Sequence, residues 1–168
     1  MSYHLSRPYM ADSRKIFSQI YDQYIAKIYR FVFLKVSSQE VAEDLTSEVF
    51  LKFWERIKLN SSSEIENPPA FLYQIARNLV IDHYREKGRV QLVSTEAMAG
   101  FNPILDPKEN LEEKAIFNSE LELIKSALID LKEDYQNVVI WHYLDDLSIP
   151  EVAKLMGRTE PATRGLLH

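Results

Sequence analysis

The sequence contains no cysteine. Disulfides, thiolate metal ligands and thiol nucleophiles are thereby excluded, and the absence of disulfides agrees with a reducing compartment. Glycine is scarce as well, with four in 168 residues against seven prolines, several of which stand beside helix-start signals. No phosphate-cradling glycine loop, Gly-x-Ser-x-Gly elbow or hairpin turn is present. The four histidines, His4, His83, His142 and His168, are dispersed. They form no His-x-x-x-His or Glu-x-x-His pair, so a helical metal site is not expected, and His83 falls on the apolar side of its segment as a packed core residue. No apolar run approaches the length of a membrane span, and the N-terminal MSYHLSRPYMADSRK lacks the apolar stretch of a signal peptide. These absences lead us to expect a cytoplasmic protein that is not an enzyme, with no cofactor and no insertion into the membrane.

What is present is helical. Hydrophobic residues make up 46% and charged residues 27% of the chain, the composition of a folded domain or two small ones. Apolar residues recur at three-and-four spacing through most of its length, which predicts an all-α fold. A first helix is expected from about Ser13 into the thirties, burying Ile16, Ile20, Tyr24, Ile28, Phe31 and Leu34. Ser37-Ser38-Gln39-Glu40 reads as a capping box, with Ser37 as the cap of a second helix that runs to about Lys58. After the polar loop LNSSSEIEN, Asn67 ahead of Pro68-Pro69 reads as the N-cap of a third helix. From Gly88 to Leu105 the helical period lapses and Gly100 and Pro103 interrupt it, as in a linker. Asp106-Pro107 restarts a helix expected to reach about Leu131, and another should span Glu133 to Leu144. Trp54, Trp141 and the tyrosines at helical spacing read as core.

Charge is distributed unevenly. The whole chain carries -5, yet residues 1–34 carry +3 and residues 71–90 carry +2, against -8 for residues 91–147. The local basic excess at 71–90 falls in AFLYQIARNLVIDHYREKGR. On a helix this segment puts Leu72, Ile75, Ala76, Leu79 and Val80 on one face and Gln74, Asn78, Asp82, Arg85 and Arg89 in a row on the other. Tyr73, Arg77 and Tyr84 border that row. Rings that stack on bases beside guanidinium groups that meet phosphates are the chemistry of single-stranded nucleic-acid binding. A merely solvated polar face is the alternative at this stage.

Two further segments carry a pattern. LSIPEVAKLMGRTEPATRGLLH holds a capping box, Ser148 with Glu151, then a turn at Gly157 and a second cap at Thr159. With Ala153 small at the crossing and Leu166 and Leu167 spaced to pack, this is the layout of a helix-turn-helix, an ordinary helical hairpin being the alternative. Arg164 would lie on the groove-facing side. In EVAEDLTSEVFLKFWERI, Val41, Leu45, Val49, Phe53, Trp54 and Ile57 form a buried arc opposite Glu40, Asp44, Ser47, Glu48 and Glu55, with Leu51 among the acids. An exposed leucine is commonplace. One ringed by carboxylates also suits docking on a basic, partly apolar helix of another protein.

Together these segments resemble the extracytoplasmic-function sigma factors, small two-domain initiation factors of bacterial RNA polymerase. YDQYIAKIYRFVFLKV and EVAEDLTSEVFLKFWERI are similar to the start of the family's region 2, AFLYQIARNLVIDHYREKGR to its promoter-opening helix, and LKEDYQNVVIWHYLDDLSIPEVAKLMGRTEPATRGLLH to region 4. The resemblance implies two small helical domains, region 2 over residues 1–90 and region 4 over 107–168, joined by a flexible linker at 91–106. It implies that Arg77, Asn78, Asp82 and Arg85, with Tyr73 and Tyr84, hold the promoter element ten bases upstream of the start, and that Ser61 to Glu66 help capture a flipped base. Asp44, Ser47, Glu48 and Leu51 would meet the clamp helices of the polymerase's largest subunit, Ser47 standing where the family often has glutamine. Thr159, Thr163 and Arg164 would lie nearest the duplex thirty-five bases upstream. Thr163 replaces a usual apolar residue and Gly165 a better helix former, at about 1 kcal/mol for the glycine. The last helix reads as cut short at His168, so weak duplex binding is expected of the C-terminal half alone. An anti-sigma factor is the further partner the resemblance implies. The rival from another class is a helix-turn-helix regulator that binds its operator without polymerase, commonly as a dimer.

Overall fold

The computed structural model describes residues 7–36, 38–59, 65–90 and 111–168, and among these residues every regular element is a helix. The first three helices build one core. α1 (Arg7–Lys35) starts earlier than the periodicity suggests and buries Ile28, Phe31, Val32 and Leu34. α2 (Gln39–Leu59) is capped by Ser38, whose hydroxyl accepts from the Val41 N–H at 3.1 Å. The expected cap, Ser37, lies outside the described residues. α3 (Pro68–Val90) begins as its sequence requires: the Asn67 side-chain oxygen accepts from the Ala70 N–H at 3.1 Å, and the prolines need no partner in the first turn. Val49, Phe53, Ile57, Leu72 and Ala76 close the core between α2, α3 and α1. Each large side chain so buried contributes about 1.5–3 kcal/mol.

The C-terminal elements are shorter. α4 (Leu111–Leu128) ends three residues before the expected boundary, and its expected start at Asp106-Pro107 lies outside the described residues. The helix expected from Glu133 to Leu144 has that extent but not one geometry. α5 (Glu133–Val138) widens into a π-helical turn, Val139–Leu144, closed by the Asp145 N–H on the Ile140 carbonyl at 2.9 Å. This wider winding lets the adjacent Ile140 and Trp141 both point inward, where each is fully buried. α6 (Ile149–Met156) carries the complete Ser148–Glu151 capping box and ends at Gly157, with φ 64°. The Arg158 N–H returns to the Ala153 carbonyl at 3.0 Å across that left-handed residue, a closure that glycine adopts without a Cβ penalty. α7 (Glu160–Leu167) is capped by Thr159.

The two groups of helices pack on one another. Trp141 stacks on Phe31 of α1, with ring centroids 5.6 Å apart, and meets the Tyr73 ring of α3 edge-on at 6.2 Å. Around that aromatic centre, Tyr29 donates to Asn118 of α4 at 3.0 Å and Lys35 donates to Gln136 of α5 at 3.1 Å.

Candidate nucleic-acid and protein interfaces

Along α3 the apolar stripe faces the core and the polar row faces out: Gln74, Asn78, Asp82 and Arg85 are exposed. Arg85 and Asp82 lie 3.8 Å apart in an open pair, while the Arg89 side chain lies outside the described residues. Tyr84 is half-exposed and donates to the Lys35 carbonyl, and partial burial raises its phenol above its ordinary value.

Two residues expected beside that row sit elsewhere. Tyr73 is fully buried, its ring against Phe31 and Trp141 and its hydroxyl donating to Asp145 at 2.7 Å. It cannot stack a base in this arrangement. Desolvation, followed by the nearby Asp145 charge, holds its phenol far above the ordinary range. Arg77 is half-buried under α6, donating to the Leu155 carbonyl at 3.4 Å, and its Nε has no hydrogen-bond partner among the described residues. A buried guanidinium with an unmet donor is positioned at a cost of desolvation.

Beside Arg77 lies a cleft of about 480 Å³. Arg56, Asn67, Gln74, Arg77, Asn78 and Lys154 bring three cations and three amides to its wall. Amides read base edges and cations meet phosphate, so the cleft suits a nucleotide unit taken out of a stack. Of the loop ahead of α3, Ile65 and Glu66 line the cleft, and Ser61 to Glu64 lie outside the described residues. Arg56 and Lys154 were not singled out from the sequence; each stands on a different helix from the row, and only the fold brings them together.

The outward face of α2 keeps the expected arrangement. Ser47, Glu48 and Leu51 are exposed, and Asp44 is half-buried one turn earlier. Burial, then the neighbouring charges of Glu40 and Glu43, pushes the Asp44 carboxyl up. Leu51 is 56% exposed on the rim of a groove of about 440 Å³ that also contains Phe17, Tyr21, Phe50 and Trp54. The Phe50 and Tyr21 rings meet edge-on at 4.9 Å, so the groove floor is aromatic.

In the hairpin of α6 and α7, Ala153 is buried at the crossing, and Leu166 and Leu167 pack on the core. Thr159 and Arg164 are exposed; Arg164 sits 4.0 Å from Glu160. Thr163 is fully buried and donates to the Thr159 carbonyl at 2.9 Å. It corrects the expectation of a DNA-facing residue: its place in the usual apolar position prevails, the hydroxyl being satisfied inside the helix. His83, expected in the core, is only half-buried and packs on Tyr84.

A family model for sigma-70 region 2 matches residues 20–90, and one for sigma-70 region 4 matches residues 121–168. The sigma factor BldN of Streptomyces coelicolor, an ECF RNA polymerase sigma factor, is 34% identical over 156 residues, covering 90% of this chain and 56% of BldN. The chain belongs to the extracytoplasmic-function sigma factors. SigM of Bacillus subtilis, also an ECF sigma factor, is 24% identical over 151 residues, 89% of this sigma factor and 86% of SigM. The fold is shared with CnrH in its complex with the cytosolic domain of CnrY, with a TM-score of 0.63 at 16% identity over 96% of this chain and 88% of that one. Matches to both regions do not favour a stand-alone helix-turn-helix regulator, for which region 2 would have no use. Among the described residues, no helix is long and apolar enough to cross a membrane and no cluster of metal-ligating side chains occurs.

Proposed function

We propose that this sigma factor binds core RNA polymerase, recognises the promoter elements ten and thirty-five bases upstream of the start, and helps separate the strands at the nearer one. Its work is binding, not catalysis, and its place is the cytoplasm, where polymerase and promoter are. Region 2 comprises residues 1–90, the linker 91–106 and region 4 residues 107–168. One observation carries the reading: a single three-helix core holds out two different faces, an acidic one with Leu51 exposed on α2 and an amide-and-guanidinium one on α3.

On the first face, Asp44, Ser47, Glu48 and Leu51 dock on the clamp helices of the largest subunit. Leu51 supplies apolar area and the carboxylates supply orientation and steering. On the second, Asn78, Asp82 and Arg85, with Arg77 and Tyr84, hold the non-template strand, and the cleft beside Arg77 takes an unstacked base. Asp82 reads as an acceptor for a base amino group, since a carboxylate repels phosphate. In region 4, Thr159 and Arg164 face the duplex. The family's usual inhibitor, an anti-sigma factor, is the proposed regulatory partner.

The net charge of -5 fits this division of labour. A factor that acts in complex with polymerase need not hold DNA strongly by itself. Reconstituted transcription with core enzyme, followed by mapping of start sites, tests the reading. Discrete starts that require the chain are expected; binding to an operator with core enzyme left untouched would support the regulator instead.

A further inference from the structure

The helix that region 4 offers to the duplex carries few groups able to read it. Along α7, Glu160, Pro161, Ala162, Arg164 and Gly165 are exposed, while Thr163 is buried and Leu166 and Leu167 pack on the core. Pro161, Ala162 and Gly165 have no hydrogen-bonding side chain. A Cβ added at Gly165 would meet nothing within 4 Å, so packing does not require that glycine, and the surface beside Arg164 is left bare. The polar residues just ahead of the helix are already engaged. The Thr159 hydroxyl accepts from the Ala162 N–H at 3.3 Å, and Arg158 is paired with Asp134 of α5. Within the helix, base-reading chemistry comes down to Glu160 and Arg164.

These two residues stand one turn apart, both well exposed, with Arg164 Nη2 4.0 Å from Glu160 Oε2. An exposed pair of this kind adds little to stability. A carboxylate on a helix that enters DNA is repelled by the phosphates, and only a hydrogen-bond donor in the groove offsets that cost. The base donors of the major groove are the amino groups of cytosine and adenine. Arginine is matched best by guanine, whose O6 and N7 both accept, and guanine is the partner of cytosine; the partner of adenine offers one thymine oxygen beside a methyl group. The two opposite charges of Glu160 and Arg164 therefore match, group for group, the major-groove edge of one cytosine–guanine pair. Glu160 also stands in the N-terminal turn, the part of a recognition helix that contacts base edges.

We propose that Glu160 is a specificity-determining residue for the upstream duplex element, acting with Arg164 on a single base pair: Glu160 accepts from the cytosine amino group, and Arg164 donates to O6 and N7 of the guanine. This rests on the reading of region 4 as the module that faces the duplex. A pair read in this way discriminates against a wrong base by about 5- to 150-fold in Kd.

The test uses the full chain assembled with core polymerase and a pool of linear duplexes randomised across both promoter elements, the bound duplexes being sequenced. The parent should enrich an upstream motif containing a cytosine–guanine pair at which Glu160→Ala and Arg164→Ala both relax the choice. Against a duplex altered at that pair alone, the parent should lose affinity about 5- to 150-fold, and each variant should lose most of this penalty. The double variant should discriminate no worse than either single one, as expected of residues acting on one target. A merely structural role for Glu160 at the helix start would instead weaken binding to every sequence alike. Uniform weakening overturns the proposal, and so does relaxation of two different positions by the two variants. No upstream motif from the parent would overturn the reading of region 4 itself, and the proposal with it.

Should Glu160→Ala lose its helical circular dichroism, Glu160→Gln asks the same question with the side chain's shape retained. Glutamine pairs with adenine N6 and N7, so this variant should move the preference at that one position from cytosine toward adenine. An unchanged preference would refute the assignment.

Discussion

Leu51→Ala isolates the proposed polymerase face, because Leu51 does little for the fold. With 56% of its surface open on the rim of the aromatic groove, the side chain has more than half of its burial still available to a partner. Fully burying a leucine is worth about 1.5–3 kcal/mol, so docking can draw roughly 1–1.5 kcal/mol from the exposed part. Truncation should therefore raise the Kd for core polymerase about tenfold. It should change unfolding free energy by no more than about 0.5 kcal/mol, the range for exposed positions. Fluorescence anisotropy of a labelled chain titrated with core polymerase measures the first, and urea denaturation the second. An unchanged Kd in a chain of unchanged stability would remove Leu51 from the interface. A rise in Kd together with a marked loss of stability would show that the side chain supports the core rather than the interface.

Further predictions follow from other sites. Replacing Arg77 and Asn78 together by alanine should impair strand opening while leaving attachment to polymerase intact; comparing potassium permanganate reactivity with polymerase co-elution separates the two, and equal loss of both would indicate misfolding. Ser148→Ala breaks the complete capping box of α6 and should cost about 1 kcal/mol, read from the urea midpoint. Gly157→Ala places a Cβ at φ 64°, where the residue has open space but an unfavourable backbone, and should cost about 1–2 kcal/mol in the same assay. Burial lowers the Lys35 ammonium from 10.5 to about 8 despite the opposing field of Glu133. The folded chain thus releases this proton near pH 8 while the unfolded chain keeps it to about 10.5. Stability contributed by Lys35 should accordingly rise as pH increases from 8 toward 10, below the tyrosine range, and Lys35→Met should remove that rise in thermal melts.

Much of the fold could be read locally. The cap at Asn67, the box at Ser148 with Glu151, the turn at Gly157 and the apolar stripes of α1 to α3 each depend on residues within one or two turns, and helix signals act over that distance. The shift of the α2 cap from Ser37 to Ser38 is a matter of register between two adjacent serines, which residue type alone does not decide. The π-helical turn was not legible, since Val138 to Leu144 reads equally as ordinary helix; the wider winding depends on two consecutive side chains finding room inside.

The sites divide along the same line. Exposure of Leu51, Asn78 and Arg164 follows from their position on a face of a single helix. Burial of Tyr73 does not: it depends on Trp141 and Asp145, about seventy residues away, arriving over α3. Arg30 and Asp145 carried no motif, because a charge pair 115 residues apart leaves no spacing to recognise. Thr163 could have been placed from its own pattern, since the position is one that packs and a threonine hydroxyl can satisfy itself on its own helix.

The central claim, that two helical modules open a promoter on a borrowed polymerase, is tested most directly by permanganate mapping of promoter thymines with purified chain and core enzyme. The account predicts reactive thymines in the upstream element near position minus ten only when both are present, lost on replacing Arg77 and Asn78. Reactivity with the chain alone, or none with core enzyme while the chain retains its helical fold, would contradict it.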